Sequence, residues 1–201
     1  MERRDALKNL GLSIGGITMS STVVGLLQSC SGKSNLSWNP EIFDSQEAEL
    51  ITKTLEVILP KTEDIPGATE LNLTQFIDGY IKHVSGSEEQ KSIKKLAEKY
   101  LSTTNASLGK KNVSDMTLDD IDSRLAYYLK ADKSQIDQWS NEDSDDASNY
   151  NFLNSLRSRG VSAFKMSEYI GEKVLAYSPI PGQQIGCVDL NEATGGKAWS
   201  I

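Results

Sequence analysis

The chain of 201 residues holds one imidazole, at His83, and two thiols, at Cys30 and Cys187. Nucleophilic catalysis needs a positioned base beside the nucleophile, and His83 is the one histidine available for that task. It falls near the end of an apolar-patterned stretch, where a partly exposed helix-end histidine is the plainer reading. Asp and Glu number 28, but acid–base work by paired carboxylates depends on a separation that a sequence does not define. With no C-x-x-C and no C-x-x-C-H, a metal or haem centre held by this chain is not expected. Gly67, Gly182 and the pair Gly195-Gly196 stand alone, and none follows a strand and opens a helix, so the phosphate and dinucleotide fingerprints are missing. The acidic run Asn141 to Asp146 lacks the alternating ligands and glycine of a calcium loop. It reads as a helix N-terminus, where carboxylates meet the positive dipole end. The expected sets of catalytic, cofactor-binding and metal-binding residues are therefore empty.

The residues with the clearest spacing lie at the start of the chain. Arg3, Arg4 and Lys8 precede an uncharged stretch from Leu10 to Leu27, diluted by glycine, serine and threonine. A basic start followed by an apolar middle and a small-residue cleavage site is a secretory signal. The arginine pair and the weak hydrophobicity match a twin-arginine export signal, a route used by proteins that are already folded and often hold a cofactor. At about 18 residues the apolar stretch sits at the lower edge for spanning a bilayer. Leu27-Gln28-Ser29-Cys30 matches a lipoprotein processing site, with Cys30 as the acylated first residue after cleavage. Several acyl chains would hold the protein on a membrane, at ~0.8 kcal/mol per buried CH₂. An ordinary secretory signal or an uncleaved anchor are the simpler alternatives. The expected location is periplasmic, on a membrane.

The formal net charge is −7. An acidic surface argues against nucleic-acid binding, which is driven by neutralising phosphates. If Cys30 is acylated, Cys187 is left without an intrachain partner in an oxidising compartment. It then serves in intermolecular pairing or as a free thiol, or else packs as a buried small hydrophobe.

Helical elements must position whatever function these residues serve. We expect a signal segment over 1–29, a polar tether over 30–43 and one domain over 44–201. Asp44-Ser45-Gln46-Glu47 reads as a capping box, followed by Ala48, Ile51, Leu55, Ile58 and Leu59 at helical spacing. Pro60 ends that helix, and Pro66-Gly67 marks a turn. Leu73, Phe76, Ile77, Tyr80, Ile81 and Val84 predict a second helix. Ser87-Glu88-Glu89-Gln90 reads as another capping box, opening a third helix with Ile93, Leu96, Ala97, Tyr100 and Leu101. A loop is expected from Asn105 to Val113. A fourth helix begins near Thr117 with Leu118, Ile121, Leu125, Tyr128 and Leu129. Helical spacing resumes from Tyr150 to Leu175, where Gly160 marks a break or a close contact. Tyr177 to Gly182 stops it, and coil or extended chain is expected from Gln183 to Ile201. The fold class is all-α: one irregular domain of about five or six helices with a long non-helical C-terminal tail. Such a tail is functional or disordered in most compact domains, and Cys187, Val188 and Trp199 favour burial over disorder.

Two stretches carry a family resemblance. One is Leu55-Glu56-Val57-Ile58-Leu59-Pro60-Lys61-Thr62-Glu63-Asp64-Ile65-Pro66-Gly67-Ala68, continuing into Phe76-Ile77-Asp78. The other is Tyr177-Ser178-Pro179-Ile180-Pro181-Gly182, then Gly186-Cys187-Val188 and Gly196-Lys197-Ala198-Trp199-Ser200. Together they resemble the gluconate 2-dehydrogenase subunit 3 family, from about Gln46 to Ser200. The resemblance implies a small accessory subunit without catalytic residues. Its partner would be a large flavoprotein of the glucose–methanol–choline type that holds FAD and oxidises a sugar, sugar acid or polyol. Electrons would pass to a cytochrome c or a quinone. The small subunit would carry the export signal, help its partner mature and anchor it to the membrane through lipid.

Within that reading, Tyr177, Pro179, Pro181, Gly182, Cys187 and Trp199 are the candidate contacts with the large subunit, since Tyr and Trp are favoured interface anchors. Cys187 is the candidate for an inter-subunit disulfide. The alternative for these residues is that the prolines and Gly182 only end the last helix while Trp199 fills the domain's own core. For the whole chain, the alternative is a stand-alone exported helical lipoprotein acting as a binding module.

Overall fold

The computed structural model describes residues 36–141, 144–180, 182 and 186–200. Arg3, Arg4, Cys30 and Pro181 lie outside the described residues. The described chain is α-helical and carries one isolated β-bridge, as the all-α expectation required.

Helix α1 (Ser45–Ile58) starts where the capping box placed it. Asp44 Oδ1 accepts from Glu47 N at 2.8 Å, and Glu47 Oε2 accepts from Asp44 N at 2.8 Å. Its inward face, Ala48, Leu50, Ile51 and Leu55, is fully buried. Helix α2 (Leu73–Val84) follows a turn in which Asn72 takes a left-handed φ of 52°, a conformation asparagine tolerates better than most residues. Helix α3 (Ser87–Leu108) is longer than expected. It runs through Asn105, where a loop was read, and stops at Gly109 with φ 63°, the usual left-handed helix terminator. The expected capping box at Ser87 does not form, because Gly86 holds the cap position without a side-chain bond. Gln90 instead donates to the Lys82 and Ser85 carbonyls at 2.9 and 2.8 Å, closing the end of α2.

A short 3₁₀ turn (Val113–Asp115) leads to α4 (Leu118–Leu129), capped by Thr117 and Asp120. Helix α5 (Lys133–Ser140) was not read from the sequence. Asp132 caps it, and Trp139 is its one buried side chain, too little apolar repetition to give a periodic pattern. Helix α6 (Asp145–Met166) is capped by Ser144, with Asp145 and Asp146 in its first turn, so part of the acidic run does face a helix N-terminus. Gly160 sits inside an unbroken α6. A Cβ there would stand 2.5 Å from Leu55 Cδ2, so glycine marks a close crossing of α6 over α1.

Helices α1 and α6 form the hub. Helix α6 packs against α1, α2, α3, α4 and α5, and α1 packs against α2, α3, α4 and α6. Tyr100 of α3 stacks on Phe152 of α6 with centroids 5.5 Å apart. Tyr128 of α4, Trp139 of α5 and Tyr150 of α6 form a run of ring contacts at the other side. Burial pushes the Tyr128 hydroxyl pKa up to about 12, so it stays protonated and donates to Asp146 Oδ1 at 2.8 Å.

The tether read over 30–43 is too long at its C-terminal end. Leu36, Trp38 and Ile42 pack against the core, and Phe43 is buried. Asp78, itself buried, accepts the backbone N–H groups of Glu41, Ile42 and Phe43 at 2.7, 3.1 and 3.1 Å. Three charge-assisted bonds from consecutive amides fix this segment on α2.

Candidate functional site

After α6 the chain makes one π-turn (Ile170–Val174) and then leaves the helical body. Among the described residues, Ile170 is the last buried apolar side chain along the chain. Beyond it, Ala176 pairs with Trp199 in a parallel bridge. Ala176 N donates to Ala198 O at 2.9 Å, and Ser200 N donates to Ala176 O at 2.8 Å. A short helix α7 (Leu190–Thr194) interrupts the stretch expected to be coil or extended.

The candidate contact residues of the tail are exposed. Tyr177 is 51% and Trp199 55% exposed, and Pro179, Gly182 and Cys187 lie open to solvent. Trp199 therefore does not fill the domain's own core, and Cys187 is a free, exposed thiol rather than a buried hydrophobe. The bridge brings Tyr177 near Ser200, and the two line one shallow hollow with Met166 and Gly171. His83 lies in the last turn of α2 as an exposed side chain, its Nε2 3.6 Å from Glu41 Oε1. No cluster of three potential metal ligands exists among the described residues, and no described helix is long and apolar enough to cross a membrane.

The stretch Leu59–Thr69 is a loop held from beneath. Glu56, on the last turn of α1, accepts Lys61 N at 3.3 Å through Oε1 and Thr69 N at 2.8 Å through Oε2. Ala68 N donates to Leu59 O at 2.9 Å, and Thr62 N donates to Ile65 O at 2.9 Å. A Cβ at Gly67 would stand 2.4 Å from Glu56 Oε1 and 2.7 Å from Lys61 N. Glycine here lets the carboxylate reach both loop amides. The tip, Glu63, Asp64, Ile65 and Pro66, points outward and borders a hollow with Tyr169. Lys61 and Glu70 form an exposed ion pair at its edge; their hydrogen bond raises the lysine pKa and lowers that of the carboxyl.

Protein-family models match residues 45–182 to the family described as gluconate 2-dehydrogenase subunit 3. The chain belongs to this family. The match takes in the braced loop, all of α1 to α6 and the tail as far as Gly182. Cys187 and the Gly196–Ser200 stretch, which also carried the resemblance, lie beyond its end. No curated protein and no solved structure matches the chain. The family is, by its description, a subunit of a dehydrogenase complex.

Sequence reasoning missed one group of surface residues. Phe76, Tyr80 and Met166 were unassigned or assigned to a helix face, yet they are 49%, 46% and 63% exposed. They line a groove of about 260 Å³ between α2 and α6, with Ala163 at its floor. Their spacing on α2 signalled a helix, but not which residues the neighbouring helix leaves uncovered.

Proposed function

We propose that this chain is the non-catalytic small subunit of a membrane-associated, FAD-dependent dehydrogenase of the glucose–methanol–choline type. The complex acts on a sugar, sugar acid or polyol and passes electrons to a cytochrome c or a quinone. FAD and the catalytic residues belong to the large subunit. This chain escorts that subunit through the twin-arginine route by Arg3 and Arg4, supports its maturation, and anchors it through acylated Cys30 in the periplasm.

The observation that carries the reading is the family match over residues 45–182. The exposed, bridge-held tail supports it, because apolar side chains such as Tyr177 and Trp199 at the surface favour a partner that covers them.

The test is export in the native host. With Arg3→Lys and Arg4→Lys combined, the flavoprotein should remain in the cytoplasm, followed by its flavin absorbance in fractionated cells. In the unmodified strain the full chain should bring a flavin spectrum with it from solubilised membranes. Normal export of the flavoprotein in the double variant would end the escort role.

A further inference from the structure

We propose that the large subunit docks on one continuous face at the C-terminal end of α6, and that it presents there an apolar centre with a basic rim. This rests on the accessory-subunit reading and adds the surface and the chemistry of the contact.

Residues 166–171 contribute to the lining of three hollows. Met166 closes the α2–α6 groove beside Phe76 and Tyr80. It also lines the hollow that holds Tyr177 and Ser200. Three residues on, Tyr169 faces Ile65 and Pro66 at the tip of the Glu56-braced loop. Phe76, Tyr80, Met166, Tyr169 and Tyr177 are each about half exposed or more. Large apolar side chains grouped in this way mark an interaction surface, unlike the scattered ones normal to any surface. The two stretches that carry the family resemblance, far apart in sequence, both border this face.

The rim states what covers it. Lys61 is paired with Glu70, and Arg159 with Glu89. Glu63, Asp64, Glu168 and Glu172 line the hollows, and none of them has an ion-pair partner among the described residues. Lys165 is the only lining cation left unpaired among those residues. The rim is therefore net acidic. A second copy of this chain would set the same charge against itself, whereas a partner with Lys and Arg around an apolar centre would complement it.

The test uses the full chain, purified from native membranes with whatever flavin accompanies it. Photo-crosslinking p-benzoylphenylalanine replaces Met166, Tyr169 or, as a control on α4, Leu118. Crosslinks from positions 166 and 169 should join the flavoprotein, and those from 118 should not. Glu168→Lys with Glu172→Lys should lower the flavin recovered per chain by roughly tenfold at low salt, with the helical circular dichroism unchanged. Three outcomes overturn the docking face while leaving the accessory role standing: flavoprotein crosslinks from 118 alone, crosslinks from 166 and 169 to a second copy, or flavin recovery unchanged by the charge reversals. Absence of flavin from the unmodified chain overturns both.

Discussion

Glu56 and Asp78 show how single carboxylates shape this molecule's surface. Each is spent on backbone amides rather than on a substrate: Glu56 on Lys61 and Thr69, Asp78 on Glu41, Ile42 and Phe43. One stiffens the loop that borders the proposed docking face, and the other pins the entry segment to α2. Neither role was legible in the sequence, because a carboxylate among 28 gives no sign of which distant amides it will meet. Cys187 is the opposite case. Of the uses open for it, exposure removes the buried one. An exposed thiol beside the bridged tail is available for the inter-subunit disulfide of the accessory-subunit reading. Non-reducing electrophoresis of the complex should show a band of summed mass that disappears with Cys187→Ser; the same bands with and without that substitution would exclude the bond.

At the scale of elements, boundaries were legible wherever a side chain closes the helix locally. Asp44 with Glu47 and Thr117 with Asp120 form the boxes that start α1 and α4, since a cap needs only residues three apart. Ser87 does not cap α3, since Gly86 holds the extended cap conformation, and Gln90 bonds the Lys82 and Ser85 carbonyls at the end of α2. Helix α5 went unread because one tryptophan, rather than a periodic stripe, holds it down. The crossing of α1 and α6 is specified by Gly160 against Leu55. Gly160→Ala should destabilise the domain by about 1–3 kcal/mol through overpacking, read by urea denaturation. In a Leu55→Ala background the same change should cost less than about 0.5 kcal/mol, because the atom it strikes is gone. Equal costs in both backgrounds would show that the crossing is not what Gly160 serves.

For the molecule as a whole, core and tail are separable. All the described buried apolar side chains lie between Phe43 and Ile170, and the tail beyond Tyr177 is mostly exposed. Deleting residues 183–201 should therefore change unfolding free energy by no more than ~1 kcal/mol, as surface changes do. The same deletion should reduce the flavin that co-purifies with the chain. A large loss of stability would mean that the Ala176–Trp199 bridge supports the domain itself rather than a partner.

Fold class and the placement of most helices were determined by local physics: apolar residues at 3.6-residue spacing, caps three residues apart, and prolines that end helices. The family resemblance was equally local, carried by short stretches that no packing needs to assemble. The tertiary structure decided which of those apolar residues stay uncovered. Phe76 and Tyr80 fit the same helical stripe as Ile77 and Ile81, yet with α2 packed on α1 and α6 the first two are exposed and the others buried. It also brought Pro66, Met166 and Tyr177 to one face. Burial and adjacency depend on which helix crosses which, and residues a hundred positions apart carry no local record of that.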